Sequence, residues 1–189
     1  MTFQGRFDEA LVEMKLASEL DPLSAEITLD VALPFLFRGN YQAAREQFRK
    51  ALELDPTFYY SQLGLGWTDL EAGKFGEAIQ EIEKAQAMDA PPFVSGWLGY
   101  AYASGGERGK AREMITILNR MSTHRFVSPY CTAIIYLGLG DKEQALEGLE
   151  KAYEVRAQGL IDIKLAKVYD PLRSEPRFIA LLKKVGLDK

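Results

Sequence analysis

The chain has one cysteine, Cys131, and one histidine, His124. It can therefore form no internal disulfide, and it cannot build a metal site from several Cys and His ligands. Cys131 stands close to the periodic position Ala133 and reads as a small buried apolar residue rather than a reactive thiol. His124 sits in the polar stretch NRMSTHRF and reads as a solvated loop residue. No apolar run approaches ~18 residues, so no membrane insertion of this segment is expected. The N-terminus lacks the basic-then-apolar pattern of a secretory signal. Excess positive charge is missing too: the formal net charge of -4 argues against a nucleic-acid partner, which favours a basic face. Apolar residues make up 47% of the chain, enough to pack cores and to argue against disorder.

What the chain has instead is rhythm. Ala10, Ala44, Ala78, Ala111 and Ala145 recur at intervals of 34, 34, 33 and 34 residues. Gly5, Gly39, Gly73, Gly106 and Gly140 keep the same interval, as do Ala17, Ala51, Ala85, Leu118 and Ala152. Three registers held in step describe one supersecondary unit repeated about five times, a stacked helical solenoid.

Residues 25–57 show the unit. AEITLDVALPFLFR places Ile27, Val31, Phe35 and Leu36 in the i, i+4, i+8 rhythm of an amphipathic helix. Gly39 follows its last turn, where a residue without a Cβ can take the left-handed conformation that closes a helix. YQAAREQFRKALEL is the second helix, with Ala44, Phe48 and Ala51 on one face. Pro56 ends it, because it pushes Asp55 out of the α region. The small side chains let two antiparallel helices approach closely, and a larger neighbour such as Phe48 fills the adjacent hole. The pattern recurs in GKFGEAIQEIEKAQAMDAPP, in GERGKAREMITILNR and in GDKEQALEGLEKAYEVR.

The chain resembles tetratricopeptide repeat proteins, whose 34-residue unit is a helix–turn–helix with small residues at fixed seam positions. The small helix-A position is Ala32, Gly66, Gly99 and Ala133, and the closing proline is Pro22 and Pro56, displaced to Pro91 in the third repeat. The resemblance covers about residues 5–156. It implies an all-α, right-handed superhelical solenoid of tetratricopeptide repeats. The expected organisation is an array over residues 1–156, about four full repeats plus an N-terminal half repeat, and C-terminal capping helices over 157–189. The fourth repeat departs from the pattern, with Leu118 for the second alanine, no closing proline and a looser exit in STHRFVSP. An array normally opens on helix A, so the chain is expected to be a piece of a longer protein. The face of Phe7–Leu20 carrying Leu11, Met14 and Leu16 is expected to lack a cover and to support self-association through this end.

After Arg156 the interval is lost. LIDIKLA suits a short helix packed on the last repeat, and DPLRSEP a turn with an N-cap at Ser174. Phe178, Leu181, Leu182 and Val185 share one face of a final helix over residues 177–185, which reads as the cap of the last repeat. The stretch from FVSPYC to KKVGL looks like the C-terminal end of a bacterial subfamily whose arrays close multidomain regulators. Winged-helix transcription activators, serine/threonine kinases and nucleotide cyclases are among them. The resemblance implies a regulatory docking or sensing module beside an output domain, in the cytoplasm or, as the alternative, on the periplasmic side of a membrane-anchored regulator.

In such arrays the first helix of each pair lines the inner, concave face. Carried onto this chain, the inner positions are Leu29, Leu33 and Phe37; Tyr60, Leu63, Trp67 and Leu70; Phe93 and Tyr100; and Tyr130 and Ile134. Tyr and Trp suit recognition, since each offers a large contact area and a polar atom. The set reads either as a groove for a peptide or protein segment, or as filling for the seams between repeats. Family members that clamp the acidic C-termini of heat-shock chaperones use lysine and asparagine at inner positions; Leu29, Leu33, Leu63 and Trp67 do not match them.

Catalysis finds no support in the residues. Glu81, Glu83, Glu143, Glu147 and Glu150 sit at helix-surface spacing beside Lys84, Lys142 and Lys151, the pattern of a solvated face with i,i+4 ion pairs. GLG at residues 64–66 and 138–140 follows no strand, and SGGERGK lacks the GK[ST] of a phosphate loop. The expected function is a non-catalytic interaction scaffold without a cofactor, binding protein or peptide. A ligand-sensing domain that controls an output domain is the alternative.

Overall fold

The computed structural model describes residue 2 and residues 5–187. The chain is an all-α solenoid of helical hairpins, with no strand among the described residues. It divides into two compact units, Met1–Asp89 and Ala90–Lys189.

In the first unit α1 (Phe7–Leu20) precedes two hairpins, α2 (Ala25–Phe37) with α3 (Tyr41–Leu54) and α4 (Tyr59–Glu71) with α5 (Phe75–Gln86). Ser24 caps α2 by accepting from the Ile27 amide, and Asn40 caps α3 by accepting from the Ala43 amide. Asp55 leaves α3 in an extended conformation ahead of Pro56, as the sequence requires. Gly39 has φ +77°, so the turn between α2 and α3 uses the left-handed region that only glycine enters without a Cβ clash. The core gathers Ala32, Leu33 and Leu36 of α2, Ala44 and Phe48 of α3, and Leu65 of α4. Ile27, Val31 and Phe35 are only half-buried, so the α2 stripe lies turned from the one its apolar rhythm suggests. Ala32 has no solvent exposure and shares a core cluster with Ala44 and Phe48 of α3, so the buried stripe centres on it.

The seam between α4 and α5 is equally tight. A Cβ on Gly66 would meet Ile82 Cγ1 at 2.4 Å and the Ala78 carbonyl oxygen at 3.4 Å. Ala78 has no solvent exposure and no free space to grow into. Ala78→Leu is expected to cost about 2 kcal/mol by overpacking. Thermal melts coinciding with those of the parent would show that the seam is not set by this alanine.

In the second unit α6 (Pro92–Ser104) pairs with α7 (Arg108–Met121), and α8 (Pro129–Gly138) with α9 (Lys142–Glu154). α6 approaches α8 closely: a Cβ on Gly96 would meet the backbone of Cys131 at 2.8 Å. Cys131 itself is buried, and burial pushes its thiol up to about 12, so it carries no thiolate near neutral pH.

Beyond α9 the backbone leaves the hairpin pattern. LIDIKLA forms no α-helix; the chain runs through 3-10 turns at Gln158–Leu160 and Lys167–Leu172 before α10 (Pro176–Lys184). The cap of α10 is Glu175 rather than Ser174. Pro176 at the first helical position holds Glu175 extended (φ -76°, ψ 125°), which moves the start one residue on. Phe178 and Leu181 are buried, while Leu182 and Val185 are half-buried.

Glu143 and Glu150 differ from their sequence reading. They do not pair along α9 but hold Arg177 of α10, with Nη1 2.6 Å from Glu143 Oε1 and Nη2 2.7 Å from Glu150 Oε2. Lys142 reaches Glu175 at 2.8 Å. Glu147 makes the expected i,i+4 pair, with Lys151.

Candidate binding surface

The inner positions separate into those that pack and those that face outward. In the first unit Leu33, Leu63 and Leu70 are buried and belong to the seams. Leu29 and Phe37 of α2 and Trp67 of α4 are half-buried around the same core cluster. Leu29, Leu33 and Phe37 follow one another at i, i+4 and i+8, so the two outer residues flank the buried one on a single helix face. Tyr60 lies on the Trp67 face of α4, is half-buried, and stacks on Tyr59 with ring centroids 4.4 Å apart.

In the second unit Tyr130 and Ile134 are buried. Phe93 and Tyr100 remain half-buried. Phe93 stacks on Tyr130 at 5.6 Å, and Trp97 stands edge-on to both Phe93 and Tyr100. Trp97 was not among the inner positions, yet its ring meets those of Phe93, Tyr100 and Tyr130. The clue was its place on α6 between Phe93 and Tyr100, at i+4 and i−3.

Tyr130 is occupied by the chain's own tail. Its hydroxyl lies 2.7 Å from that of Tyr169, and a Cβ on Gly159 would meet its ring at 2.5 Å. Tyr169 in turn stacks on Phe178 of α10 at 6.0 Å. Tyr130 and Ile134 therefore take the packing role, and the corrected outward set is Leu29, Phe37, Tyr60, Trp67, Phe93 and Tyr100. Burial raises the Tyr130 phenol well above its ordinary value, so it stays a neutral hydrogen-bonding group.

A polar network escaped the sequence reading. Arg45 of α3 lies 2.5 Å from Asp69 of α4 and 3.7 Å from Glu81 of α5. Gln62 donates to Glu81 Oε2 at 2.6 Å, and Lys84 pairs with the same oxygen. Arg45, Asp69 and Glu81 come from three different helices, and Asp69 has no counterpart in the repeat rhythm. Arg45 and Asp69 line a cleft of about 290 Å³ with Tyr41, Gln42, Arg49 and Lys74. The cleft recurs two repeats on, between α7 and the end of α8, where Arg112, Tyr136 and Asp141 line it.

Family models described as tetratricopeptide repeat match residues 3–57 and 36–92, over the hairpins whose seams are described above. The chain is a tetratricopeptide repeat protein. A chain in the crystal structure of the APC/C hetero-tetramer Cut9-Hcn1 shares its fold, with a TM-score of 0.62 and 17% identity. The match covers 99% of this tetratricopeptide chain and 37% of the other, so the present chain spans little more than a third of it. Likeness at that identity speaks to the fold alone. The comparison with curated proteins found no match. The tetratricopeptide architecture is a protein-interaction scaffold, and no helix among the described residues is long and apolar enough to cross a membrane.

Proposed function

We infer that the chain is a non-catalytic module that binds a peptide or protein segment through the helix-A faces of its repeats. The observation that carries this is the partition of the inner positions. Aliphatic residues and Tyr130 fill the seams, while Phe37, Tyr60, Trp67, Phe93 and Tyr100 keep part of their rings toward solvent. Half-exposed aromatic rings held by packing recognise a partner at low entropic cost. No basic surplus supports a nucleic-acid partner at a net charge of -4.

The setting that fits is a larger bacterial regulatory protein, in the cytoplasm, with this array as the docking element beside an output domain. That reading rests on the resemblance of the C-terminal stretch to the ends of arrays in such regulators. A ligand sensor for the same output domain is the second reading.

Tryptophan fluorescence separates the two. Trp67 is half-buried on the proposed surface, whereas Trp97 is buried. Titration with extended and helical peptides is expected to change the emission of the parent. The same titration of Trp67→Phe is expected to show about a tenfold weaker response. A saturable change with small metabolites and none with peptides would favour the sensor, and no change with either would remove the surface from consideration.

A further inference from the structure

The outer face of α1 is apolar at two register positions where the other second helices are polar but for Ile117. Two residues after the seam alanine the later repeats carry Glu46, Gln80, Glu113 and Glu147, and six residues after it Lys50, Lys84, Ile117 and Lys151. The first repeat has Val12 and Leu16 there. Val12 is 67% exposed, Leu16 53%, Leu20 80% and Leu23 78%. Spacing at i, i+4 and i+8 sets the first three in one stripe, which Leu23 extends past the helix end. Leu11 and Met14, by contrast, are half-buried.

A missing partner helix does not account for the stripe. Glu46, Lys50, Gln80 and Lys84 are exposed although each lies in a complete hairpin, so a helix A does not cover these positions. The charge around the stripe selects its occupant. Residues 5–23 carry five carboxylates against two cations. Glu13 borders the stripe on one side, Glu19 and Lys15 on the other, and Glu9 lies above its first turn, so carboxylates are in excess around it. Arg6 is held by Glu9, and Asp8 by Arg38 of α2. Two copies joined face to face here would bring together two segments that each carry an excess of carboxylates, which repels. An acidic border around aliphatic residues complements an amphipathic helix whose apolar stripe is flanked by Lys or Arg.

We propose that the outer face of α1 is a second docking surface, separate from the helix-A faces, and that it takes a basic amphipathic helix of a partner protein. The probe is a labelled helical peptide with leucines at i, i+4 and i+8 and lysines on both flanks, titrated into the full chain and followed by anisotropy. Saturable binding is expected, weakening with added salt. Leu16→Glu is expected to weaken it about tenfold while leaving the circular dichroism and melting curve unchanged, because Leu16 is exposed. Lys50→Glu, at the same register on α3, is expected to leave it unaltered. Equal binding of a peptide with glutamate flanks would overturn the proposal, as would no binding or binding indifferent to Leu16→Glu. Sedimentation showing a parent dimer that Leu16→Glu converts to monomer would assign the stripe to a second copy and overturn it as well.

Discussion

Tyr130→Ala is expected to lower the unfolding free energy by about 4 kcal/mol, the loss typical of a fully buried aromatic side chain. Tyr130 has no solvent exposure and touches three separate parts of its unit. Phe93 of α6 stacks on its ring, Gly159 of the tail lies against it, and Tyr169 meets its hydroxyl. Alanine there opens a cavity between the last hairpin and the tail that closes it. The loss is expected to be uneven. Amides of residues 158–172 should exchange faster with solvent, and α10 should follow through the Tyr169–Phe178 stack. Tyr130→Phe keeps the packing and loses one buried hydrogen bond, about 1 kcal/mol. Urea unfolding with hydrogen exchange reads both effects. Exchange in the tail unchanged by Tyr130→Ala would show that the tail is anchored elsewhere.

The tail was also where sequence reasoning stopped. The hairpins were legible because their determinants are local and repeated. Ala44, Phe48 and Ala51 share a face by spacing alone, and Gly39 and Pro56 stop helices by their own backbone chemistry. Nothing local says that Gly159 must lie flat on a tyrosine ring. LIDIKLA follows directly on the Gly159 crossing of Tyr130, and it runs as bends and turns between two 3-10 segments instead of a helix. The cap at Glu175 was readable in principle, since Pro176 dictates it.

The binding surface was half legible for a related reason. Periodicity finds the helix face that points inward, but not which residues on that face are swallowed by the neighbouring hairpin. Leu63 and Trp67 share the face, and only the packing of the first unit makes one a seam residue and the other half-exposed. Val12 and Leu16 show the converse. Their anomaly stands in the register itself, once each residue is set beside its counterparts at Glu46 and Lys50. What the sequence could not supply was the solvent exposure that separates an unpaired seam from an outward face.

The Arg45–Asp69 pair was invisible to periodicity and carries a large effect that depends on pH. The Asp69 side chain is 4% exposed, and Arg45 is its only ion-pair partner within 4 Å among the described residues. Burial raises the Asp69 carboxyl above its ordinary value of 3.8, with Arg45 pulling the other way. Arg45→Ala removes that pull and leaves a largely buried carboxylate without its ion-pair partner, at an expected cost of about 3 kcal/mol at neutral pH. The sign with pH follows from the direction of the shift. A carboxyl raised in the folded state favours folding while it is protonated, and that contribution is lost as pH rises through the folded value. Without Arg45 the folded value climbs further, so the penalty of Arg45→Ala grows as pH rises from the parent's folded value to the variant's, is full above the latter and is lost below the former. Chemical denaturation of parent and variant across the acid range should therefore show curves that converge at low pH and separate at neutral pH. Asp69→Asn in the Arg45→Ala background should recover stability at neutral pH and remove the convergence, because no charge is left to bury. A penalty of equal size at every pH would mean that Arg45 contributes through its packed alkyl chain, not through the carboxylate of Asp69.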